Sequence, residues 1–264
     1  MSMKICHHDL GTAPRAEIKI VGDLHIGAPS YSGKMLLELK EWLKAKPNRY
    51  YIIVGDLFNA ALKSSVSDVY SDTMNVDMAM DFFVDNFKSI ADKCLGVVDG
   101  NHDRRVWKEV GVNPVKYVCS RLEMPYLGHE GNIVLSLGNW RDKRKDGRIC
   151  PIHYAIYANH GIGGGRLMGG KANAMQRLRN IIVADAYIQG HTHTPMMFTS
   201  VLREYSKGYK DITKRIQTFI MTGSALEREG YAEAFAYEDT DNSWAVLILS
   251  GTKKMTDFNS GKDI

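Results

Sequence analysis

The sequence of 264 residues lacks the features that mark several large protein classes. Its few cysteines lie far apart and form no Cys-x-x-Cys pair, which argues against a zinc ribbon or a disulfide framework and fits a reducing compartment. The longest clean apolar run, Trp244 to Leu249, is far too short to span a bilayer, and the N-terminus has no apolar signal-peptide core. We therefore expect a cytoplasmic protein without membrane contact.

Internal repeats, low-complexity tracts and Pro/Gly/Ser linkers are also missing, so we expect a single domain over residues 1–264. Hydrophobic residues make up 44% and charged residues 24%, which is ordinary globular composition and excludes intrinsic disorder. The net charge is +4 and the isoelectric point is about 8.7. This mildly basic balance permits a nucleic-acid partner without requiring one.

Short apolar runs that are typical of strands recur along the chain, many of them ending at Gly or Asp. The predicted strands are 16–21, 50–54, 94–98, 131–137, 153–158, 186–189, 197–202, 216–221, 232–237 and 244–249. Helical apolar spacing covers 33–45, 73–92 and 171–183. The first half alternates strand and helix and the last third is mostly strand, which predicts an α/β fold with βαβ units feeding a mixed two-sheet core.

Five short polar motifs each follow a predicted strand, where α/β folds place their chemistry. In chain order they are Gly-Asp23-Leu-His25, Gly-Asp56-Leu-Phe, Gly-Asn101-His102-Asp103, Asn-His160-Gly and Gly-His191-Thr-His193. A glycine before the polar residues in four of the motifs lets the backbone turn sharply at the strand end. Any one of them is more simply explained as a turn or a structural histidine. Five in one order favour a common site.

The donor types in these motifs indicate a metal site. In an extended segment residues i and i+2 point the same way, so Asp23 with His25, and His191 with His193, can each present two ligands to one point. Carboxylate oxygen and imidazole nitrogen together suit divalent Mn, Fe or Zn. These donors therefore predict a site for divalent metal, with Mn²⁺ preferred and Fe²⁺ or Zn²⁺ as the alternatives.

The order of the motifs resembles that of the calcineurin-like metallophosphoesterases, from Gly22 to His193. The resemblance implies a four-layer αββα sandwich with two mixed β-sheets and a two-metal site. By motif position, one metal would be held by Asp23, His25 and His193, the other by Asn101, His160 and His191, and both by the bridging carboxylate of Asp56.

The same resemblance implies a mechanism of phosphoester hydrolysis. Two metals about 3.5–4 Å apart clamp the attacking and leaving oxygens, and a metal-bound water becomes hydroxide near neutral pH. His102 would sit beside the phosphate and give a proton to the leaving group, and Asp103 would orient backbone or a histidine.

The substrate class follows from where the sequence departs from one branch of that superfamily. Phosphoprotein phosphatases have Gly-Asp-x-Val-Asp-Arg-Gly, whereas this chain has Asn59 and Ala60 in place of the second Asp and the Arg. Without that arginine a phosphomonoester dianion loses a bidentate clamp. The Gly-Asp-Leu-Phe and Asn-His-Asp motifs more closely resemble the phosphodiesterase and DNA-repair nuclease branch. We therefore expect a phosphodiesterase, with DNA or RNA as candidate substrates. The alternatives are a phosphomonoesterase on a nucleotide or phosphoprotein and a non-catalytic scaffold of the same fold.

Further substrate contacts are expected from basic residues outside the motifs. Residues 165–172 match most of a P-loop, but Ala172 replaces the Ser/Thr that would hold Mg²⁺, so Arg166 and Lys171 are instead predicted to contact a substrate phosphate. The basic segment 141–148 is predicted to be a hairpin loop that contacts nucleic acid. Lys207, Lys210, Lys214 and Arg215 are predicted to form a second basic loop. The sequence leaves the oligomeric state open.

Overall fold

The computed structural model describes residues 3–62, 70–141, 149–163, 167–206, 208–227 and 243–261. In chain order, the strands in these ranges are β1 Lys4–Asp9, β2 Arg15–Val21, β3 Arg49–Val54, β4 Cys94–Val98, β5 Tyr126–Gly128, β6 Glu130–Arg141, β7 Ile149–Asn159, β8 Ala186–Gln189, β9 Met196–Tyr205, β10 Ile212–Met221, β11 Val246–Ser250 and β12 Thr256–Asn259. The helices are α1 Gly33–Ala45, α2 Val76–Phe87, α3 Asn101–Val110, α4 Pro114–Arg121 and α5 Met168–Arg177, with 3₁₀ helices at Lys88–Lys93 and Leu178–Asn180. No described helix is long and apolar enough to cross a membrane.

The strands form two mixed sheets of six. One sheet has the order β12-β11-β2-β3-β4-β5, and its central strands β2, β3 and β4 are parallel. The other has the order β1-β6-β7-β8-β10-β9, and β7, β8 and β10 run parallel within it. Parallel neighbours place their carboxyl ends at the same edge of a sheet, so the loops that follow these strands are gathered there.

Three apolar clusters separate four layers, so the predicted αββα sandwich is confirmed. The cluster between the sheets is rich in β-branched and leucine side chains, including Ile18, Ile52, Leu135 and Ile188. A second cluster packs α1, α2 and α4 onto the outer face of the first sheet, through residues such as Leu39, Phe83 and Val118. A third packs α5 onto the second sheet through Met175, Tyr187 and Phe219.

Most predicted elements are confirmed with shifted ends, whereas β1, β5, β12, α3 and α4 were not predicted. Helix α1 and strand β8 have the predicted bounds, whereas the helix predicted over 73–92 is α2 followed by a 3₁₀ turn. The prediction of a second basic loop was wrong in part, because pairing with β9 continues to Ile212 and places Lys214 and Arg215 inside β10. Lys207 lies outside the described residues. The predicted strand 232–237 lies outside the described residues.

A buried ion pair joins the amino ends of the two central strands of the first sheet. Glu17 on β2 lies opposite Arg49 on β3, and Arg49 Nε is 2.9 Å from Glu17 Oε2. Both side chains are buried, and the guanidinium also donates to the Trp42 carbonyl at 2.9 Å while covering the Trp42 ring. Removing one partner of such a pair leaves an uncompensated buried charge.

We therefore predict that Glu17→Ala lowers the free energy of unfolding by about 3–5 kcal/mol. The matched control is Glu41→Ala on α1, whose carboxylate pairs with Lys44 in solvent and should contribute less than about 0.5 kcal/mol. Denaturant unfolding of the two variants checks this. Equal losses would mean that the pair at the amino ends adds nothing beyond a surface ion pair.

Candidate metal centre

The five polar motifs converge at one edge of the sandwich. Asp23 and Asp56 follow the parallel strands β2 and β3 of the first sheet, and Asn101 follows β4. His160 follows β7 and His191 follows β8 of the second sheet. The donors therefore come from both sheets and meet where the carboxyl ends of the strands face each other.

The backbone at this edge is left-handed rather than extended. Asp23 and His25 have φ of 51° and 48°, Asp56 has 50°, and His191 and His193 have 71° and 54°. The expectation that i and i+2 residues converge because the segment is extended was therefore wrong in its geometry. Non-glycine residues in this region cost about 1–3 kcal/mol each and concentrate at functional sites.

The first donor set consists of Asp23, His25 and His193. His193 Nε2 lies 3.2 Å from Asp23 Oδ1 and 3.3 Å from His25 Nε2, and His25 Nε2 lies 4.0 Å from Asp23 Oδ1. Asp23 and His25 are buried, and the carboxylate of Asp23 also accepts from the backbone N–H of His191 at 2.9 Å. Although burial raises the pKa of Asp23, the neighbouring His193 lowers it overall, so the carboxylate is ionised.

The second donor set is formed by Asp56, His160, Asn101 and His191. His160 Nε2 lies 3.1 Å from Asp56 Oδ2, 3.0 Å from Asn101 Oδ1 and 3.2 Å from His191 Nδ1. Asp56 Oδ2 is also 3.8 Å from His25 Nε2 in the first set. One carboxylate oxygen therefore lies between the two sets.

These donor sets fit divalent ions. His160 Nδ1 is 2.8 Å from the Val54 carbonyl oxygen, so this nitrogen carries a proton and Nε2 is the atom that faces the oxygens of Asp56 and Asn101. Burial lowers the pKa of His160, but the charge of Asp56 raises it to about 9, so without a metal Nε2 also carries a proton. A divalent ion among these donors would take the place of that proton. Metal–ligand bonds of about 2.0–2.2 Å put neighbouring donor atoms roughly 3–3.5 Å apart, close to the observed spacing.

Glycines leave the space in which the carboxylates lie. A Cβ on Gly100 would lie 1.9 Å from Asp56 Oδ1, and one on Gly190 would lie 2.6 Å from Asp23 Oδ2. A Cβ on Gly55 would lie 2.5 Å from His160 Nδ1. The glycines next to the motifs therefore act through close approach as well as through backbone conformation.

His102 lies beside the second donor set at the start of α3. Its backbone N–H donates to Asp56 Oδ1 at 2.8 Å, and its Nδ1 is 2.8 Å from the Asn59 carbonyl oxygen. Its Nε2 faces the site, 4.0 Å from Asp56 Oδ2. The bond to Asn59 orients the ring, and its Nε2 lies close enough to His25 and Asp56 to form a third possible donor group with them.

Asp103 holds the loops together without facing the donor sets. Its carboxylate accepts from the backbone N–H groups of Gly100 at 2.8 Å, Phe58 at 3.1 Å and Leu57 at 3.3 Å. Burial, together with the charge of Asp56, raises the pKa of Asp103 to about 7. The motif after β3 and the motif after β4 are therefore joined through one side chain.

Arg105 is a site residue that the motifs did not reveal. Its Nη2 lies 3.1 Å from His102 Nε2, and its Nη1 is buried without a hydrogen-bond partner among the described residues. Burial lowers the pKa of His102. The negative charge of Asp56 acts to raise this pKa and the positive charge of Arg105 to lower it, and the net shift is downward. The signal available in the sequence was spacing, because Arg105 follows His102 by three residues on one helix.

Of the two predicted substrate contacts, Lys171 and Arg166, only Lys171 lies among the described residues. Lys171 lies in α5 and donates to Thr194 Oγ1 at 2.6 Å, next to a cavity of about 190 Å³ that also touches His191. Arg166 lies outside the described residues, as does 142–148. β7 begins at Ile149, next to 142–148, and ends at Asn159 beside the site. Its two ends are ten residues apart, which corresponds to roughly 33 Å.

Comparison with known proteins agrees with this architecture. The family model of the calcineurin-like phosphoesterases matches residues 16–195, and the chain belongs to that family. The family is dependent on a dinuclear metal centre, so the chain is a metal-dependent phosphoesterase by family. No curated protein matches the chain.

The chain is similar to several solved structures at low sequence identity. The calcineurin-like phosphoesterase YfkN from Bacillus subtilis is 11% identical, with a TM-score of 0.44 over 94% of this chain and 91% of that one. A metallophosphoesterase from Sphaerobacter thermophilus is 15% identical, with a TM-score of 0.38 over 92% and 87% of the two chains.

We predict that Gly100→Ala removes bound metal, because the new methyl group displaces the Asp56 carboxylate. A misplacement of about 1 Å is enough to reduce turnover roughly 10²-fold. Elemental analysis of the purified variant after Mn²⁺ loading gives the metal content. The control is Gly33→Ala, at the start of α1, where a Cβ meets nothing within 4 Å. Full metal content in a folded Gly100→Ala variant would contradict the assignment of Asp56.

Proposed function

We propose that this protein is a two-metal phosphodiesterase, with nucleic acid as a candidate substrate and Mn²⁺ as the preferred ion. The observation that carries the proposal is the pair of donor sets that share Asp56, with His102 beside them. Asp23, His25 and His193 would hold one ion. Asn101, His160 and His191 would hold the other, and Asp56 would bridge them.

When bound, the two ions supply Lewis-acid stabilisation of the phosphoryl oxygens and activation of the attacking water. The residues of the chain position the donors and the substrate. At the start of α3 the backbone N–H of His102 donates to Asp56 and that of Gly100 donates to Asp103, so this helix terminus holds both carboxylates in place. Asp103 fixes the loops after β3 and β4 relative to each other, so that Asp56 and Asn101 keep their spacing.

His102 is the proposed proton donor to the leaving oxygen. The bond from its Nδ1 to Asn59 turns Nε2 toward the site. In this geometry Nδ1 donates to Asn59 and Nε2 accepts from Arg105, so Nε2 must take up a proton before it can donate one. Arg105 then favours release of that proton, because the two positive charges repel. The presence of His102 and of complete donor sets also argues against the alternative of a non-catalytic scaffold.

We predict that His102→Ala keeps both metal ions but lowers kcat roughly 10²–10⁴-fold, the usual contribution of a positioned acid. Metal content and turnover are measured on the same preparation. His153→Ala, which removes an exposed ring on β7 outside the motifs, is the control for loss of a histidine. Parallel loss of metal and activity in His102→Ala would make His102 a ligand instead.

The preference for diesters is supported by the loop after Asp56. Asn59 Nδ2 donates to Asp72 Oδ1 at 2.6 Å, so this side chain is held by the protein. Ala60 is buried and has no charge to offer a phosphate. A diester carries one negative charge and needs a cationic clamp less than a monoester dianion does. The alternative of a phosphomonoesterase is favoured only by Arg105, whose guanidinium lies beside His102.

We predict a higher kcat/KM for bis-p-nitrophenyl phosphate than for p-nitrophenyl phosphate with Mn²⁺ present. Asp56→Asn should abolish both activities, which excludes a contaminating hydrolase. A preference for the monoester that Arg105→Ala removes would establish the alternative. Absence of metal-dependent hydrolysis of either ester by the metal-loaded protein would refute the proposed function.

A further inference from the structure

The hairpin of β9 and β10 extends beyond the sheet to which it belongs. β10 pairs with β8 only from Thr218 to Met221, whereas its pairing with β9 continues to Ile212, opposite Tyr205. About five residues of each strand, 201–205 and 212–216, therefore form a two-stranded ribbon with no third strand beside it, roughly 17 Å long. This ribbon points away from the metal centre, because β9 leaves that centre at Met196 and runs outward.

The two faces of the ribbon have opposite electrostatic character. On one face Arg215 Nε lies 3.2 Å from Glu204 Oε1, and Arg215 Nη1 lies 3.2 Å from Asp185 Oδ1, so charges are compensated. The other face, named the Arg203 face here, consists of three exposed cross-strand pairs, Val201–Ile216, Arg203–Lys214 and Tyr205–Ile212. These pairs present basic, aliphatic and aromatic side chains and no carboxylate.

Arg203 and Lys214 lie directly opposite each other on this face. Like charges in directly opposed positions destabilise a sheet. Neither cation forms an ion pair within the described part of the chain. The pair is therefore a concentration of positive charge that an external anion would neutralise.

Exposed aromatic rings continue the Arg203 face at the turn. Tyr205 is 67% exposed and Tyr209 is 82% exposed, and their ring centroids are 5.6 Å apart. Lys210, also exposed, adjoins Tyr209. Cations that track a phosphate backbone, combined with exposed rings on which bases stack, are the two elements of single-strand nucleic-acid binding.

We propose that the Arg203 face binds single-stranded DNA, with Arg203 and Lys214 on phosphates and Tyr205 and Tyr209 against bases. The Val201–Ile216 and Tyr205–Ile212 pairs on either side of the cations present apolar side-chain surface to the sugar. This surface favours deoxyribose, because a ribose 2′-hydroxyl would lose hydrogen bonds to water there. A second copy is a poorer occupant, since a two-fold contact would oppose identical cation pairs. The surface goes beyond the proposed function, because it lies a strand's length from the metal centre.

Binding is measured by fluorescence anisotropy with a labelled twenty-nucleotide thymidine oligomer across a salt series. EDTA is present throughout, so that neither metal loading nor cleavage affects the result. Replacing Arg203 and Lys214 together by Ser should weaken binding about tenfold and reduce the salt slope by about 1.4, since each lost phosphate contact contributes about 0.7 on a single strand. Tyr209→Ser should weaken binding about fivefold without changing the slope.

The matched control replaces Lys34 and Lys44 by Ser, which removes the same charge from exposed positions on α1. This double variant should bind the oligomer as the unaltered protein does. Equal weakening in both double variants, or no binding by the unaltered protein, overturns the proposal. The proposal is also overturned if the protein binds a uridine oligomer more tightly than the thymidine oligomer. The same holds if the protein sediments as a dimer that the Arg203→Ser, Lys214→Ser variant dissociates. Because no metal is present, each of these outcomes is independent of whether the proposed function holds.

Discussion

Two buried carboxylates at the ends of neighbouring parallel strands set the main constraint on this protein. Asp23 and Asp56 bring negative charge into the interior, where an unpaired charge costs several kcal/mol. Their imidazole neighbours include His193 and His160, which follow strands of the other sheet. The two sheets must therefore pack in one relative position for the charges to be neutralised, so the site and the sandwich depend on each other.

The same edge carries most of the strained backbone. Five of the donor residues have positive φ, at a cost of about 1–3 kcal/mol each, and such conformations persist only where the surroundings over-determine them. The apolar core between the sheets and the ion pair at the amino ends of β2 and β3 provide that support from the opposite side. The strained residues thus follow strands whose length lies in the apolar core and whose amino ends are joined by an ion pair.

Prediction from sequence was best where the signal is local and poorest where it depends on a distant partner. The apolar spacing of 33–45 marks α1 because one face packs on the sheet. β1 has no apolar run and becomes a strand by pairing with β6, more than a hundred residues away. α3 was missed because its first turn is polar and is held by Asp103 and by Asp56, which lies on another loop.

The order and types of the motif residues determined the family and the donors of the candidate site, because carboxylate and imidazole at strand ends are a property of the sequence alone. Tertiary structure decided the rest. It placed the guanidinium of Arg105 against His102, gave Asp23 and His191 left-handed backbone, and left the end of β10 without a neighbour on its β8 side. Each of these depends on which strands lie side by side, and that is settled only when the two sheets bury their apolar faces against each other.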